Sequence, residues 1–400
     1  MPDAPRKNHS LITIFGDPAL FRKTALPFFL GLLVLANLGV AAWKKTLTEQ
    51  RRENLLQRDA LDPDKFGAVV RYDWSVGEDL PRFLRHIPNA EKTPLVILAG
   101  MSQMYAINDG KPSELTIVEN LDDALAKKGA RAFGLAAPNL SNEEALFLLS
   151  NLLLRPQTKP DIFLYGVCFD KFRNIDLRPA FGALLRHDPA LAARYSAIAS
   201  KHASTHPLAS RQMLAALVAP DAAKSAEAET AENRLRNSAA TLLPIVATRM
   251  EMNALVQIEL FALRNAVFRI KASTKRPILQ ARYDLNREFL SLLVDVAHEE
   301  GITPALYIIP LNPQAEAPYV TSQYEEFKSW LSALALEKQV RFVNLEKAVP
   351  PEDWGLSDGE PDFKHFRASG HQKTANAILS AFEPLLINPR NTPAEPKVAP

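Results

Sequence analysis

Pro94-Leu-Val-Ile-Leu-Ala-Gly100-Met101-Ser102 places five apolar residues in a row ahead of a glycine and, two positions on, a serine. A short, unbroken apolar run with a proline before it and an Asp/Asn/Gly loop after it reads as a strand buried on both faces. An amphipathic stretch follows from Leu115 to Lys128 and stops at Gly129, the glycine expected just past a helix end. Ala130 to Leu135 reads as a second strand. Ser141 and Glu144 form a capping-box pattern that opens an apolar helix to Leu154, closed by Pro156. Asp161-Ile-Phe-Leu-Tyr-Gly-Val-Cys168 is the third strand. Strand, helix, strand, helix, strand at this spacing predicts a parallel sheet with helices on both faces.

The same rhythm returns near the C-terminus. Leu285, Phe289, Leu292, Leu293 and Val296 share one helical face, and Gly301 ends that helix. Ala305 to Ile309 is a fourth strand, a helix spans about 321 to 337, and Val340 to Asn344 is a fifth strand. The last helix is expected to begin at Ser369 with Gln372 as a second capping pair, burying Ala375, Ile378, Leu379 and Phe382. Between the two halves the texture changes: residues 181–250 hold 19 alanines and no strand signal. The chain therefore reads as one α/β domain over about 67–386, carrying a helical insertion at about 181–282.

Outside that domain, Thr24 to Trp43 is twenty residues without a charge, flanked by Lys23 and Lys44. At about 1.5 Å per residue it matches a hydrocarbon core about 30 Å thick, so it reads as one transmembrane anchor. Residues 1–23 precede it, 44–66 form a polar, helix-prone stalk, and the Pro-rich 387–400 reads as a disordered tail. Charge does not orient the span, because Arg6, Lys7, Arg22 and Lys23 on one side face Lys44, Lys45, Arg51, Arg52 and Arg58 on the other. With 47 basic and 45 acidic residues, the net charge of +2 argues against a phosphate-driven nucleic-acid binder. The single cysteine, Cys168, excludes an intramolecular disulfide and a Cys-rich metal site.

Ligands of open parallel sheets bind beyond the carboxyl ends of the strands, so the residues that follow each strand carry the chemistry. Ser102 follows the first strand and opens a helical turn, where its own N–H is free to donate to an oxyanion. Taken alone it reads equally as an N-cap. In Asp362-Phe-Lys-His365 the aspartate can fold back onto the imidazole Nδ1–H and leave Nε2 free to deprotonate a hydroxyl. Taken alone, that spacing also describes a loop capped by its own aspartate. A metal site from Asp358, Asp362, His365 and His371 has no supporting HExxH or Cys/His spacing, and no metal or other cofactor is expected. His9, His86, His187, His202, His206 and His298 lie on polar or helical stretches and read as solvated. Of these, His202 and His206 would share a helical face if their segment is helical, a possible metal pair, though with no carboxylate nearby in sequence.

A serine directly after the first strand, together with D-x-x-H, a glycine and a final helix, resembles the SGNH (GDSL-like) hydrolase superfamily over roughly 94–175 and 303–383. The resemblance implies a five-stranded parallel sheet flanked by helices, a flavodoxin-like three-layer arrangement. It also implies acyl transfer or ester hydrolysis by Ser102 as nucleophile, His365 as general base and then acid, and Asp362 as orienter of His365. Met101 stands where the family has the Asp of Gly-Asp-Ser, as in membrane-anchored branches similar to the D-alanyl transfer protein of teichoic-acid modification and the alginate O-acetylation proteins. The family's second-block glycine, an oxyanion donor, has its nearest equivalent in Asn139, a residue type that tolerates left-handed backbone. The third-block Gly-x-Asn-Asp is absent; Arg173 or Asn174 after the third strand is the oxyanion candidate there, and either residue reads equally as a tie that holds the loop. Asp170 reads as a loop-organising carboxylate and Cys168 as a structural thiol.

A single N-terminal span ahead of such a domain resembles the extracytoplasmic partners of membrane-bound O-acyltransferases, which places residues 44–400 outside the membrane. The expectation is an anchored acyltransferase or esterase acting on acyl esters of a cell-surface polysaccharide or other polymer. The alternative is a non-catalytic assembly or polymer-binding protein on the same frame, partnering such an O-acyltransferase.

Overall fold

The computed structural model describes residues 84, 87–111, 113–137, 139–173, 177–218, 274–357 and 360–387, the short segments 55–57 and 69–71, and residues 31, 34, 35, 37–39 and 42. The chain divides into two units, Met1–Arg51 with Lys224–Ile270, and Arg52–Ala223 with Lys271–Pro400. Of the first unit, the described residues are helical positions between 31 and 42. Most of the expected Thr24–Trp43 span therefore lies outside the described residues, as does the 387–400 tail beyond Ile387. Among the described residues no helix is long and apolar enough to cross a membrane.

The second unit is built on a six-stranded parallel sheet. Its strands are β2 (Val69–Arg71), β3 (Leu95–Gly100), β5 (Arg131–Ala136), β6 (Ile162–Val167), β7 (Thr303–Ile308) and β8 (Arg341–Asn344), in the order β2-β5-β3-β6-β7-β8. Five of these are the strands read from the apolar runs, each within about two residues. All residues of the β3 and β6 strands are buried, as an apolar run with no alternation requires of a strand covered on both sides. The sixth strand, β2, pairs with β5 at the sheet edge, Val70 opposite Leu135. Three residues are too few for a period to be read, which is why this strand is not visible in the sequence.

From β3 the chain crosses to β5 on one side, then returns past β3 to β6 on the other. With right-handed crossovers, that reversal puts α1 (Ile117–Ala126) and α2 (Asn142–Leu152) on opposite faces. α1 packs with the last helix, α8 (Ala368–Ile387), and α2 packs with α6 (Gln280–Glu299). α7 (Thr321–Glu337) connects β7 to β8. The carboxyl ends of β3 and β6 meet where the direction of progression reverses, and Ser102 lies there.

The caps explain where the helices start. Ser141 Oγ accepts from Glu144 N at 3.1 Å while Glu144 Oε2 accepts from Ser141 N at 2.9 Å, the reciprocal pair expected of a capping box. Thr116 and Glu119 form a second such pair ahead of α1. The box expected from Ser369 and Gln372 does not form. α8 already begins at Ala368, and Ser369 Oγ instead donates to Asp353 Oδ1 at 2.6 Å, a partner distant in sequence. Gly129 and Gly301 close their helices with φ of 77° and 66°, values that L side chains rarely adopt.

Two antiparallel pairs decorate the sheet. β1 (Leu55–Gln57) pairs with β4 (Ala106–Asn108), and β9 (Trp354–Ser357) pairs with β10 (Glu360–Phe366). The segment read as a helix-prone stalk thus contributes a strand, and the folded unit reaches back beyond residue 67. The described part of the helical insertion comprises α3 (Pro179–His187), α4 (Pro189–Lys201) and α5 (Pro207–Val218); residues 219–273 lie outside the described residues. α4 packs on α2 and α5 on α6, and Phe147 of α2 stacks on Phe181 of α3 at 4.6 Å between ring centres.

Candidate active site

Ser102 opens a 3-10 turn, Ser102–Met104, immediately beyond β3. The first N–H of such a turn has no acceptor within it, so the Ser102 amide is available to a ligand. The N-cap of the turn is Met101, not Ser102, and Ser102 Oγ lies 2.9 Å from His365 Nε2. The purely local N-cap reading of the serine is thereby replaced by a contact across 263 residues of chain.

On the other ring nitrogen, His365 Nδ1 lies 2.9 Å from Asp362 Oδ2. A carboxylate only accepts, so Nδ1 carries the proton and Nε2 presents its lone pair to the serine hydroxyl. In a regular strand, residues three apart point to opposite faces. Asp362 and His365 meet because β10 breaks register between Pro361 and Phe366. The other carboxylate oxygen holds that break: Asp362 Oδ1 accepts from Lys364 N at 2.8 Å and from His365 N at 3.1 Å. Both readings of D-x-x-H are therefore realised at once, one oxygen capping the loop and the other orienting the imidazole. Burial by itself would push the Asp362 carboxyl up, but the hydrogen bond and charge of His365, with the two backbone N–H groups, hold it below the ordinary carboxylate value.

Gly370 lies just beyond the histidine. A Cβ there would lie 2.6 Å from Phe366 Cβ, so the first turn of α8 can close against the histidine strand only with glycine. His371, included in the four-residue metal reading, has both ring nitrogens engaged elsewhere. Its Nδ1 accepts from Ile117 N at 3.1 Å and its Nε2 donates to Ala106 O at 3.1 Å, so it ties α1 to β4. Asp358 lies outside the described residues.

Gln103 carries no sequence signature. Its buried side chain donates from Nε2 to Pro310 O at 2.9 Å and to Lys364 O at 2.7 Å. One amide thus joins the Ser102 turn, the loop after β7 and the histidine loop. Asn312 reinforces the joint, donating from Nδ2 to Asp362 O at 2.8 Å. Replacing Gln103 by leucine leaves two carbonyls without that donor, each worth about 1–3 kcal/mol when buried and unmet. Gln103→Leu is expected to lower kcat on an activated ester by about 10–100-fold with little change in KM, since positioning rather than binding is lost. Steady-state kinetics well below the unfolding temperature check this, and an unchanged kcat would remove Gln103 from the positioning role.

Of the oxyanion candidates, Asn139 has a left-handed backbone. It has φ of 54° in the turn after β5, and Ala137 N of that turn bonds to Gly100 O, next to the Ser102 turn. Asn139 Oδ1 accepts from Lys171 Nζ at 2.8 Å, which leaves the amide Nδ2–H groups for another acceptor. Lys171 is buried, and burial pushes its ammonium down to about 8. Arg173 carries its guanidinium near Asp170, and no hydrogen bond joins it to the serine or the histidine among the described residues; Asn174 lies outside them. Asp170 pairs with Lys364, so it does organise a loop, and specifically it ties the segment after β6 to the histidine loop. Cys168 is buried beside Tyr319 Oη, and burial pushes its thiol up, as befits a structural cysteine.

No family model and no curated protein matches the chain. Ten solved chains match it in structure. One is a protein from Bacteroides fragilis described as a "putative acylhydrolase", with 12% sequence identity, a TM-score of 0.36, and coverage of 78% of this chain and 98% of that chain. At that identity and score the likeness adds nothing to the hydrogen bonds of Ser102, His365 and Asp362, which stand on their own geometry.

Proposed function

We propose that the chain is a serine acyl hydrolase or acyltransferase of SGNH type. The reading rests on one observation, the continuous hydrogen-bonded line from Ser102 Oγ through His365 to Asp362, with both links at 2.9 Å. His365 Nε2 takes the serine proton as Oγ attacks an ester carbonyl, and the tetrahedral oxyanion is met by Ser102 N–H with Asn139 as the neighbouring donor. The imidazolium then returns the proton to the departing alcohol, leaving an acyl-serine. Water or a sugar or polyol hydroxyl, deprotonated by the same nitrogen, releases the acyl group.

The uncharged stretch Thr24–Trp43 supports the anchored form of this reading, with residues 44–400 outside the membrane and the acyl group passing to or from a cell-surface polysaccharide. Val34, Leu35 and Leu38, apolar and exposed within that stretch, are consistent with a lipid surrounding. A membrane-bound O-acyltransferase is the partner that would supply the acyl group. A fluorophosphonate probe is expected to label the wild type and not Ser102→Ala. Absence of labelling, with full function of Ser102→Ala in cells, would instead leave a non-catalytic binding or assembly role. An acetylated ester donor offered with and without an oligosaccharide acceptor separates transfer from hydrolysis by whether acetyl appears on sugar or only as acetate.

A further inference from the structure

His202 and His206 are not solvated. Both rings are buried, on the turn that joins α4 to α5, and that turn keeps helical spacing because His206 N bonds to His202 O at 2.8 Å. Across from them α6 presents Asp295 and Glu299, also four residues apart. His206 Nε2 lies 2.8 Å from Asp295 Oδ2, and His202 Nε2 lies 3.2 Å from Glu299 Oε2. The ligand atoms of His202, His206 and Asp295 all lie within 4.8 Å of one another. Two histidines at i, i+4 facing Asp295 thus bring two nitrogens and one carboxylate to one point, with Glu299 beside His202 at its edge.

We propose that this cluster is a binding site for a divalent transition-metal cation, zinc above all, which clamps the helical insertion to the core helix α6. Zinc takes nitrogen at about 2.0–2.1 Å and carboxylate oxygen at about 2.0–2.2 Å, which in a tetrahedron sets ligand atoms about 3.4 Å apart. For His202, His206 and Asp295 the separations run from 2.8 Å to no more than 4.8 Å, on either side of that value. Binding requires the Nε2 lone pairs, so each imidazole carries its remaining proton on Nδ1. Two carboxylates one turn apart on a helix repel each other. Lysines now offset that repulsion: Lys338 Nζ reaches both oxygens of Asp295 at 2.8 Å, and Lys201 Nζ reaches Glu299 Oε2 at 2.9 Å. Both ammonium groups are on partly exposed stems and can turn to solvent when a divalent charge replaces them. The imidazole nitrogens explain the preference for a transition metal over magnesium or calcium, which favour an all-oxygen shell.

The cluster lies at the C-terminal end of α6, which leads into the start of β7, whereas Ser102 follows the end of β3. In a parallel sheet these are opposite ends, so the cation has a structural role, separate from the ester chemistry. The full chain, treated with chelator and titrated with zinc chloride, is expected to bind one equivalent and to unfold at a higher temperature. Cobalt(II) in place of zinc is expected to give visible absorption bands of low-symmetry, nitrogen-containing coordination. His206→Ala and Asp295→Asn should each weaken binding by about tenfold or more, while Lys338→Met, which removes the competing ammonium, should tighten it several-fold. Absence of stoichiometric zinc binding by the wild type would overturn the proposal, and so would undiminished binding by the His202→Ala, His206→Ala double variant. If that double variant does not fold, Asp295→Asn and Glu299→Gln carry the test, and unchanged zinc affinity in both would equally overturn it.

Discussion

Ser102→Ala should turn over an activated ester such as p-nitrophenyl acetate about 10³–10⁶-fold more slowly than wild type, and His365→Ala should fall by the same order. The double variant should fall no further, because the serine has no base without His365 Nε2, 2.9 Å away, and the base has no nucleophile without the serine. Asp362→Asn is the more discriminating change. Its single remaining oxygen must serve either the backbone N–H groups of Lys364 and His365 or the imidazole Nδ1–H, which the carboxylate now serves with separate oxygens. If the loop keeps the oxygen, the amide N–H₂ faces Nδ1, the ring takes the Nε2–H tautomer and it cannot accept the serine proton. A loss of about 10³–10⁴-fold is expected with the fold intact by circular dichroism. The sign of the pH effect follows from the depressed Asp362 carboxyl. Its stabilisation is complete above the unfolded carboxylate value of about 3.9 and is lost as pH falls through the lower folded value. The unfolding free energies of wild type and Asp362→Asn should therefore differ at neutral pH and converge in strong acid. Wild-type turnover by Ser102→Ala, with contaminating esterases excluded, would sink the triad.

The parts of this molecule that the sequence displays are those whose physics is local. Five strands announce themselves because parallel strands covered on both faces must be apolar throughout, as Leu95 to Ala99 are, all with no exposure. The Ser141–Glu144 box and the glycines at 129 and 301 are equally local, each satisfying helix-end groups within four residues. An i, i+3 carboxylate can reach an imidazole within one loop, so the Asp362–His365 contact is local, whereas the joining of that pair to Ser102 is what the family resemblance implies rather than what either motif shows alone. Gln103, by contrast, has no local signature: its partners Pro310 and Lys364 are brought to it only by the sheet order. The failure at Ser369 has the same cause, since a hydroxyl next to a helix start takes whichever acceptor tertiary packing brings nearest, here Asp353. The burial of His202 and His206 has no local signature, because the carboxylates opposite them lie about ninety residues away in sequence.

The largest stability effect is expected from a pair that the capping-box reading half identified. Glu144 closes its box with Ser141 and at the same time holds Arg178, with Nε to Oε1 at 2.6 Å, Nη2 to Oε2 at 2.7 Å and the Arg178 backbone N–H to Oε1 at 3.1 Å. Both side chains are almost fully buried, so the pair exchanged hydration for a bidentate contact that only mutual geometry can offset. Its place decides its consequence: Glu144 is in the first turn of core helix α2, and Arg178 immediately precedes Pro179, the start of the insertion. Arg178→Met strands a buried carboxylate and should destabilise the fold by about 3–5 kcal/mol in urea unfolding. Glu144→Met strands the guanidinium and also opens the helix cap, so it should cost about 1 kcal/mol more. The double variant Glu144→Met, Arg178→Met removes both charges and should recover most of the loss, retaining only the cap defect. The recovery separates a desolvated ion pair from plain packing, because two independent packing losses would add instead. Simple additivity of the two single variants would therefore refute the ion-pair account, and recovery would identify the pair as a clamp whose cost lies in breaking it rather than in its absence.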